Sequence, residues 1–357
     1  MSSLEGLTPE VNPSNIDSIP ERVSSLLTKR GIDSNNIDIG PEKIITTNIL
    51  DMSQTDSARG NILTVMEQLR IDPETEITVR QRKLFFQEDV SKGPLSEMVN
   101  FANREKEQKM NIYTFDPKKG LTGSAPIVIF SHGGSIRPET TLKSSFLSLI
   151  KANSEQQGKP VILVAMDHRG SESHEAKINF SLEDRSTDIE VVLMYTIQNL
   201  LEEYKNKGIS WNGEVHLIGN SMGGHVVACT AKELKPDRII LPQPAAYSEE
   251  SQLLPFGSSF GIAIRKPNSW KTSIAFDNFE KYLREGGTAC LIGAEKDEVI
   301  PGGVTNRYIK EVTYHYLSRL IKAEGKNTFD FGYTYIPESH EKTTPDEITA
   351  ISKSLQN

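Results

Sequence analysis

Two cysteines in 357 residues leave no room for a disulfide framework or a four-thiolate zinc site. Both sit in apolar runs, Cys229 in VVACTA and Cys290 in TACLIG, where a small buried side chain is the plain reading. Long hydrophobic runs are scarce too. Stretches such as Val161–Met166 fall far short of the ~20 residues a membrane span needs. The opening MSSLEGLTPEVNPSN has neither a basic n-region nor an apolar h-region, so no secretory signal peptide is readable. A cytoplasmic location is expected, with a non-Sec export route left open. Positive charge is also short: 40 Lys+Arg stand against 48 Asp+Glu, a formal net of −8. With no Lys/Arg run, a basic face able to displace counterions from nucleic acid is not expected. HExxH, a P-loop and a Rossmann glycine pattern after a strand are all missing, so neither metal nor cofactor is expected.

What remains is a chain of 39.8 kDa, long enough to bury roughly 75% of its unfolded surface. Counted with Gly and without Tyr, apolar residues make up about 40%, below the globular ~45–50%. Charged residues are at the ordinary 25%, which excludes wholesale disorder. The polar surplus is local. Residues 1–75 are rich in Asn, Ser, Asp and Pro, with helices expected after Pro20 (Val23, Leu26 and Leu27 on one face, Gly31 as the stop) and over Asp56–Leu69. This segment is read as a helical accessory element and a candidate contact for a partner or a second subunit. From Glu76 the pattern changes. Apolar strands (Ile127–Phe130, Val161–Met166, Val215–Ile218, Ile239–Leu241, Ala289–Ile292) alternate with helical patterns at Thr187–Tyr204, Gly224–Leu234 and Asn306–Ala323. Continuous apolar strands separated by helices imply an α/β fold, with a mostly parallel sheet covered on both faces.

The chemistry concentrates in VHLIGNSMGGH. A buried strand runs into Gly219-Asn220-Ser221-Met222-Gly223, and an apolar helix follows. This is G-x-S-x-G in the strand–turn–helix setting that gives the motif meaning. Side chains at 219 or 223 would collide in so tight a turn, and Ser221 is forced into a strained conformation at a helix N-terminus, where N–H groups favour a developing anion. Ser221 therefore reads as a nucleophile, which needs a base and a group to orient that base. Of seven histidines, His340 in PESHE follows the last strand, where catalytic loops gather. His216, His225 and His315 read as structural. The acid reads as Asp297 in GAEKDEVIP, with its neighbours Glu295 and Glu298 left open. The loop Ser131-His132-Gly133-Gly134-Ser135 lacks Cβ atoms where a substrate oxygen would approach. The N–H groups of Gly134 and Met222 are the expected oxyanion donors, and His132 is expected to hold the loop.

Taken together, FSHGGS, GNSMGG, GAEKDEVIP and ESH, in the order serine, acid, histidine, resemble the α/β-hydrolase superfamily from about Glu76 to the C-terminus. The elbow and the short HGG loop are similar to its lysophospholipase, acyl-esterase and dienelactone-hydrolase branches. Asp167-His168-Arg169-Gly170 looks like the family's D-x-R-G turn, with Glu172 and His174 departing from it. The resemblance implies a catalytic domain over 76–357, with a small cap at about 242–278 in which Phe256, Phe260 and Trp270 are candidate substrate contacts. It implies a serine hydrolase acting on a small-molecule carboxylic ester or thioester. An acyltransferase or peptidase with the same triad, or a silent hydrolase fold used for binding, are the rival readings.

Overall fold

The computed structural model describes residues 18–52, 56–89, 91–92, 107–134, 139–171, 179–322, 332–336 and 343–355. Among them, ten strands form one sheet: β1 (Ile32–Ile39), β2 (Lys43–Asn48), β3 (Glu76–Glu88), β4 (Glu107–Phe115), β5 (Gly123–Ser131), β6 (Ile162–Asp167), β7 (Ile209–Gly219), β8 (Arg238–Pro242), β9 (Thr288–Ala294) and β10 (Gly332–Ile336). The spatial order is β1-β3-β4-β6-β5-β7-β8-β9-β10, with β2 also on β3. β1, β2, β3 and β4 pair antiparallel, β4 pairs antiparallel with β6, and every pairing from β6 through β10 is parallel.

The parallel strands are apolar throughout because both faces are covered. Side-chain alternation divides them between two cores. Ile127, Ile129, Leu217, Ile239, Leu241 and Leu291 pack toward α1 (Ile19–Lys29), α4 (Leu182–Tyr195), α6 (Met222–Leu234), α8 (Ile274–Arg284) and α9 (Gly302–Lys322). Val128, Phe130, Ile218, Ile240 and Ile292 face the opposite way, toward α2 (Asp56–Leu69), α3 (Glu139–Gln156) and α10 (Pro345–Ser354). α4 continues through a π turn at Thr196–Leu200 into α5 (Leu201–Asn206). The connection from β8 to α8 carries α7 (Ser258–Arg265), flanked by short 3-10 turns at Glu249–Ser251 and Ser269–Thr272. No helix among the described residues is long and apolar enough to cross a membrane.

Residues 1–75 hold more than helices. α1 forms as its pattern requires: Ser18 and Glu21 make a capping box, and Val23, Leu26 and Leu27 are buried. But β1 and β2 are strands, laid end to end along the free side of β3 with Gly40 and Pro41 at the break. The sequence IDSNNIDI conceals β1, because an edge strand buries only part of itself and tolerates Asn and Asp on the wet side. Both expected helices, α1 and α2, are present, and the polar stretch between them supplies β1 and β2.

One feature of the topology places the site. From β5 the chain goes to β6 on one side, then returns to β7 on the other. Strand order reverses between β5 and β7, and a crevice opens beyond the carboxyl ends of strands at such a switch point. The loops after β5 and β7 meet there.

Candidate active site

Ser221 is the N-cap of α6, with φ 53° and ψ −118°. A non-glycine residue held there stores roughly 1–3 kcal/mol of backbone strain. The surroundings enforce it. The Ser221 N–H donates to the Pro242 carbonyl at 3.2 Å, and the Ser221 carbonyl accepts from Gly224 N at 2.9 Å and Ala245 N at 2.8 Å. Within the otherwise buried run Val215–Ala231, Ser221 alone is half-buried. The flanking glycines are required by space. A Cβ on Gly219 would lie 2.4 Å from the Gly223 carbonyl oxygen, and one on Gly223 would lie 2.1 Å from the Ser131 carbonyl oxygen. Gly224 is equally tight, since its Cβ would come 2.7 Å from Pro244 Cα.

The loop after β5 lies directly beside this turn. Ser131 pairs with Gly219, and Asn220 N donates to the Ser131 carbonyl at 3.1 Å. A Cβ on Gly134 would meet Met222 Cε at 2.8 Å, so the two expected oxyanion donors belong to touching residues. Met222 opens α6, where the first N–H groups have no acceptor within the helix. Gly133 is buried and Gly134 exposed. The Gly133 carbonyl accepts from His132 Nδ1 at 2.8 Å and from Arg185 Nη1 at 2.9 Å.

Behind the loop is a buried polar network that sequence reasoning did not assemble. His132 Nε2 accepts from the His168 backbone N–H at 3.3 Å, which makes Nδ1 the donor to Gly133. His168 Nε2 meets Ser131 Oγ at 2.9 Å, and its Nδ1 donates to Asp188 Oδ2 at 3.1 Å. Arg169 holds Asp188 and Glu88 and lies between the rings of Phe86 and Phe180. Burial pushes His168 down to about 3, against the hydrogen bond to Asp188, so its imidazole is neutral. Burial would raise Asp188, but Arg169 and His168 outweigh it and hold it at about 2. The D-x-R-G turn signalled part of this. Asp188, on a helix twenty residues further on, carried no signal at all.

Asp297 follows β9 and is half-buried, while Glu295 and Glu298 are exposed. Its Oδ1 accepts from Val299 N at 2.9 Å and Ile300 N at 2.8 Å, which folds the loop around the carboxylate. His340 lies outside the described residues. β10 ends at Ile336, beside Ala294 at the end of β9, the strand that Asp297 follows. The histidines at 132, 168, 216, 225 and 315 are all buried. His225, one turn after Ser221, accepts from Tyr247 N and bonds Gln252 Oε1; burial pushes it down to about 4. His174 is also outside the described residues.

Phe256 and Phe260 are buried and packed edge to face at 4.9 Å, with Phe256 5.0 Å from the Arg185 guanidinium. Trp270 packs edge to face on Phe276 at 6.2 Å. It covers Gly303 and lines a groove of about 700 Å³ with Asp277, Arg307 and Lys310, whose lining does not include Ser221.

No protein-family model matches the chain, and no curated protein matches it. Solved structures similar to it include an esterase from Rhizomucor miehei (13% identity, 84% of this chain and 88% of that one, TM-score 0.48). A peroxisomal α/β-hydrolase from Saccharomyces cerevisiae is similar at 12% identity over 78% and 88%, with a TM-score of 0.47. The esterase Est1E from Butyrivibrio proteoclasticus gives 14%, 70% and 92%, and 0.42. The chain has an α/β-hydrolase fold. Its own architecture defines it: a mostly parallel sheet with helices on both faces, and a G-x-S-x-G turn joining β7 to α6 at the strand-order reversal.

Proposed function

We propose that the chain is a serine hydrolase that cleaves a carboxylic ester or thioester through an acyl-enzyme. The observation that carries this reading is Ser221 itself: strained, half-buried in an otherwise buried run, and set at a helix N-terminus where β5 and β7 diverge. Strain of this kind persists only where surrounding structure enforces it, and it clusters at reactive positions.

In the proposed reaction Ser221 Oγ attacks the acyl carbon as His340 takes its proton. Asp297 orients the imidazole. The carbonyl oxygen becomes an oxyanion held by the N–H groups of Met222 and Gly134, at the positive end of α6. The C–O or C–S bond then breaks, and the leaving group departs with the proton from His340. Water, deprotonated by the same histidine, cleaves the acyl-serine and restores the enzyme. The five described histidines are all buried, and His340 is favoured as base by its place after the acid, in the order serine, acid, histidine.

The test pairs labelling with turnover. A fluorophosphonate probe should label the wild type at Ser221, and Ser221→Ala should lose both labelling and hydrolysis of p-nitrophenyl and thioester acyl substrates. Hydrolysis by Ser221→Ala at the wild-type rate overturns the proposal.

A further inference from the structure

The oxyanion loop is held from behind by a cation. Arg185, buried on α4, donates from Nη1 to the Gly133 carbonyl at 2.9 Å, and His132 Nδ1 donates to the same oxygen at 2.8 Å. Both lone pairs of that carbonyl are thus engaged. The Gly133 C=O and the Gly134 N–H belong to one planar trans peptide and point in opposite directions. Whatever fixes the carbonyl fixes the N–H. A glycine pair has the backbone freedom to turn this peptide over, and the two donors remove that freedom. A charged donor also polarises the peptide, which strengthens its N–H as a hydrogen-bond donor on the far side.

Arg185 is itself held from the β8–α8 connection. Its guanidinium carbon lies 5.0 Å from the centre of the Phe256 ring, which packs edge to face on Phe260. The Phe256 backbone N–H is tied to the Phe180 carbonyl at 2.8 Å, just ahead of α4. The guanidinium therefore sits between the oxyanion loop and the cap region. Aromatic contact of this kind orients a guanidinium without competing for its donors.

We propose that Arg185 is a positioning residue: clamped by Phe256, it anchors the Gly133 carbonyl and so aims the Gly134 N–H at the oxygen of the acyl group under attack. The inference rests on Ser221 being the nucleophile. It links the cap to the rate of acylation through one side chain, so that a shift of Phe256 is felt at the oxyanion.

The experiment compares Arg185→Met, Arg185→Lys and Phe256→Leu with wild type. Steady-state hydrolysis of p-nitrophenyl butyrate is measured per active site, counted by fluorophosphonate titration. Inhibition by an alkyl trifluoromethyl ketone, whose hemiketal oxyanion mimics the intermediate, is measured alongside. Arg185→Met is expected to lower kcat about 30- to 100-fold with KM within about 3-fold, and to weaken the ketone by a similar factor, as expected when a donor is misaimed by about 1 Å. Arg185→Lys, which keeps charge and one donor, should recover about tenfold. Phe256→Leu should fall between wild type and Arg185→Met. Should Arg185→Met fail to fold, Arg185→Gln is read in the same way. A folded variant with kcat within threefold of wild type, or a loss confined to KM with ketone affinity unmoved, overturns the proposal. The Ser221→Ala control separates the two levels. If it is inactive while Arg185→Met is unimpaired, Arg185 alone is misassigned. If it is active, the nucleophile assignment falls and this inference with it.

Discussion

Replacing Gly223 by alanine tests the geometry with one methyl group. An ideal Cβ there would lie 2.1 Å from the Ser131 carbonyl oxygen, 2.6 Å from its carbon and 2.7 Å from the His132 carbonyl oxygen. All three are backbone atoms at the end of β5, and Ser131 is paired with Gly219 across the strand-order reversal, so no side chain can swing aside. Ordinary carbon contacts need roughly 3.5 Å, and α6 and the β5 loop must therefore separate by about 1 Å. Met222 and Gly134 sit on opposite sides of that gap. Parting them should misplace one of the two proposed oxyanion donors, worth about 10²–10³ in kcat, or about 3–4 kcal/mol of barrier. Overpacking should also cost about 1–3 kcal/mol of stability, partly offset by the helix preference of Ala over Gly. The control is Gly261→Ala in α7, where a Cβ meets nothing within 4 Å. That variant should gain about 0.5–1 kcal/mol and keep full activity. Urea unfolding and ester hydrolysis per fluorophosphonate-titrated site read both quantities. A folded Gly223→Ala with kcat within threefold of wild type would refute the account of how loop and elbow share the crevice.

Ser221→Gly should abolish turnover yet raise unfolding free energy by about 1 kcal/mol, because glycine adopts φ 53° without strain; equal or lower stability would show that no strain is stored there. His216, buried on β7 beside Arg238, is pushed down to about 3, against an unfolded value near 6.5. Its stabilising contribution is complete above pH ~6.5 and is lost as pH falls toward 3. His216→Gln should accordingly flatten the rise of unfolding free energy with pH by about 1.4 kcal/mol per unit near pH 5, and an unchanged slope would contradict the burial argument. Arg30, the C-cap of α1, pairs with Glu183 and with Glu190, whose side chain is 1% exposed. Arg30→Met should cost about 3–5 kcal/mol in denaturant unfolding, and adding Glu190→Gln should restore part of it. A loss below 1 kcal/mol would mean the pair is not held in the folded state.

The parallel strands and the serine turn were legible because each is encoded locally. VHLIGNSMGG combines an apolar run, a glycine-flanked serine and the start of an apolar helix, and IVIFSHGG joins an apolar run to a glycine pair in the loop beside it. β1 was not, because its pairing with β3 spans some fifty residues and its own sequence is polar. Arg185 was missed for a related reason. It is one charged residue in an ordinary helix, and only the packing of α4 against the β5 loop brings it to Gly133.

The polar first part of the chain bears on the site through contacts that composition could not reveal. Arg30, at the end of α1, binds Glu183 on α4. The second oxygen of Glu183 accepts from Gln252 Nε2 at 2.9 Å, and Gln252 Oε1 accepts from His225 Nε2 at 3.1 Å. His225 is one turn beyond Ser221 on the helix whose N-terminus faces the crevice. These polar contacts join α1, α4, the β8–α8 connection and α6, in positions where an unpaired group would be costly. The same α4 presents Arg185 to the Gly133 carbonyl in the loop after β5 and Asp188 to His168. A rigid α4 therefore fixes both the loop after β5 and the helix that follows the serine. The α1 docking face, with Val23 and Leu27 inside the same core as Val226 and Ile189, is part of what keeps α4 in place. The described part of the segment before β3 thus packs against the helix that carries Arg185 and Asp188.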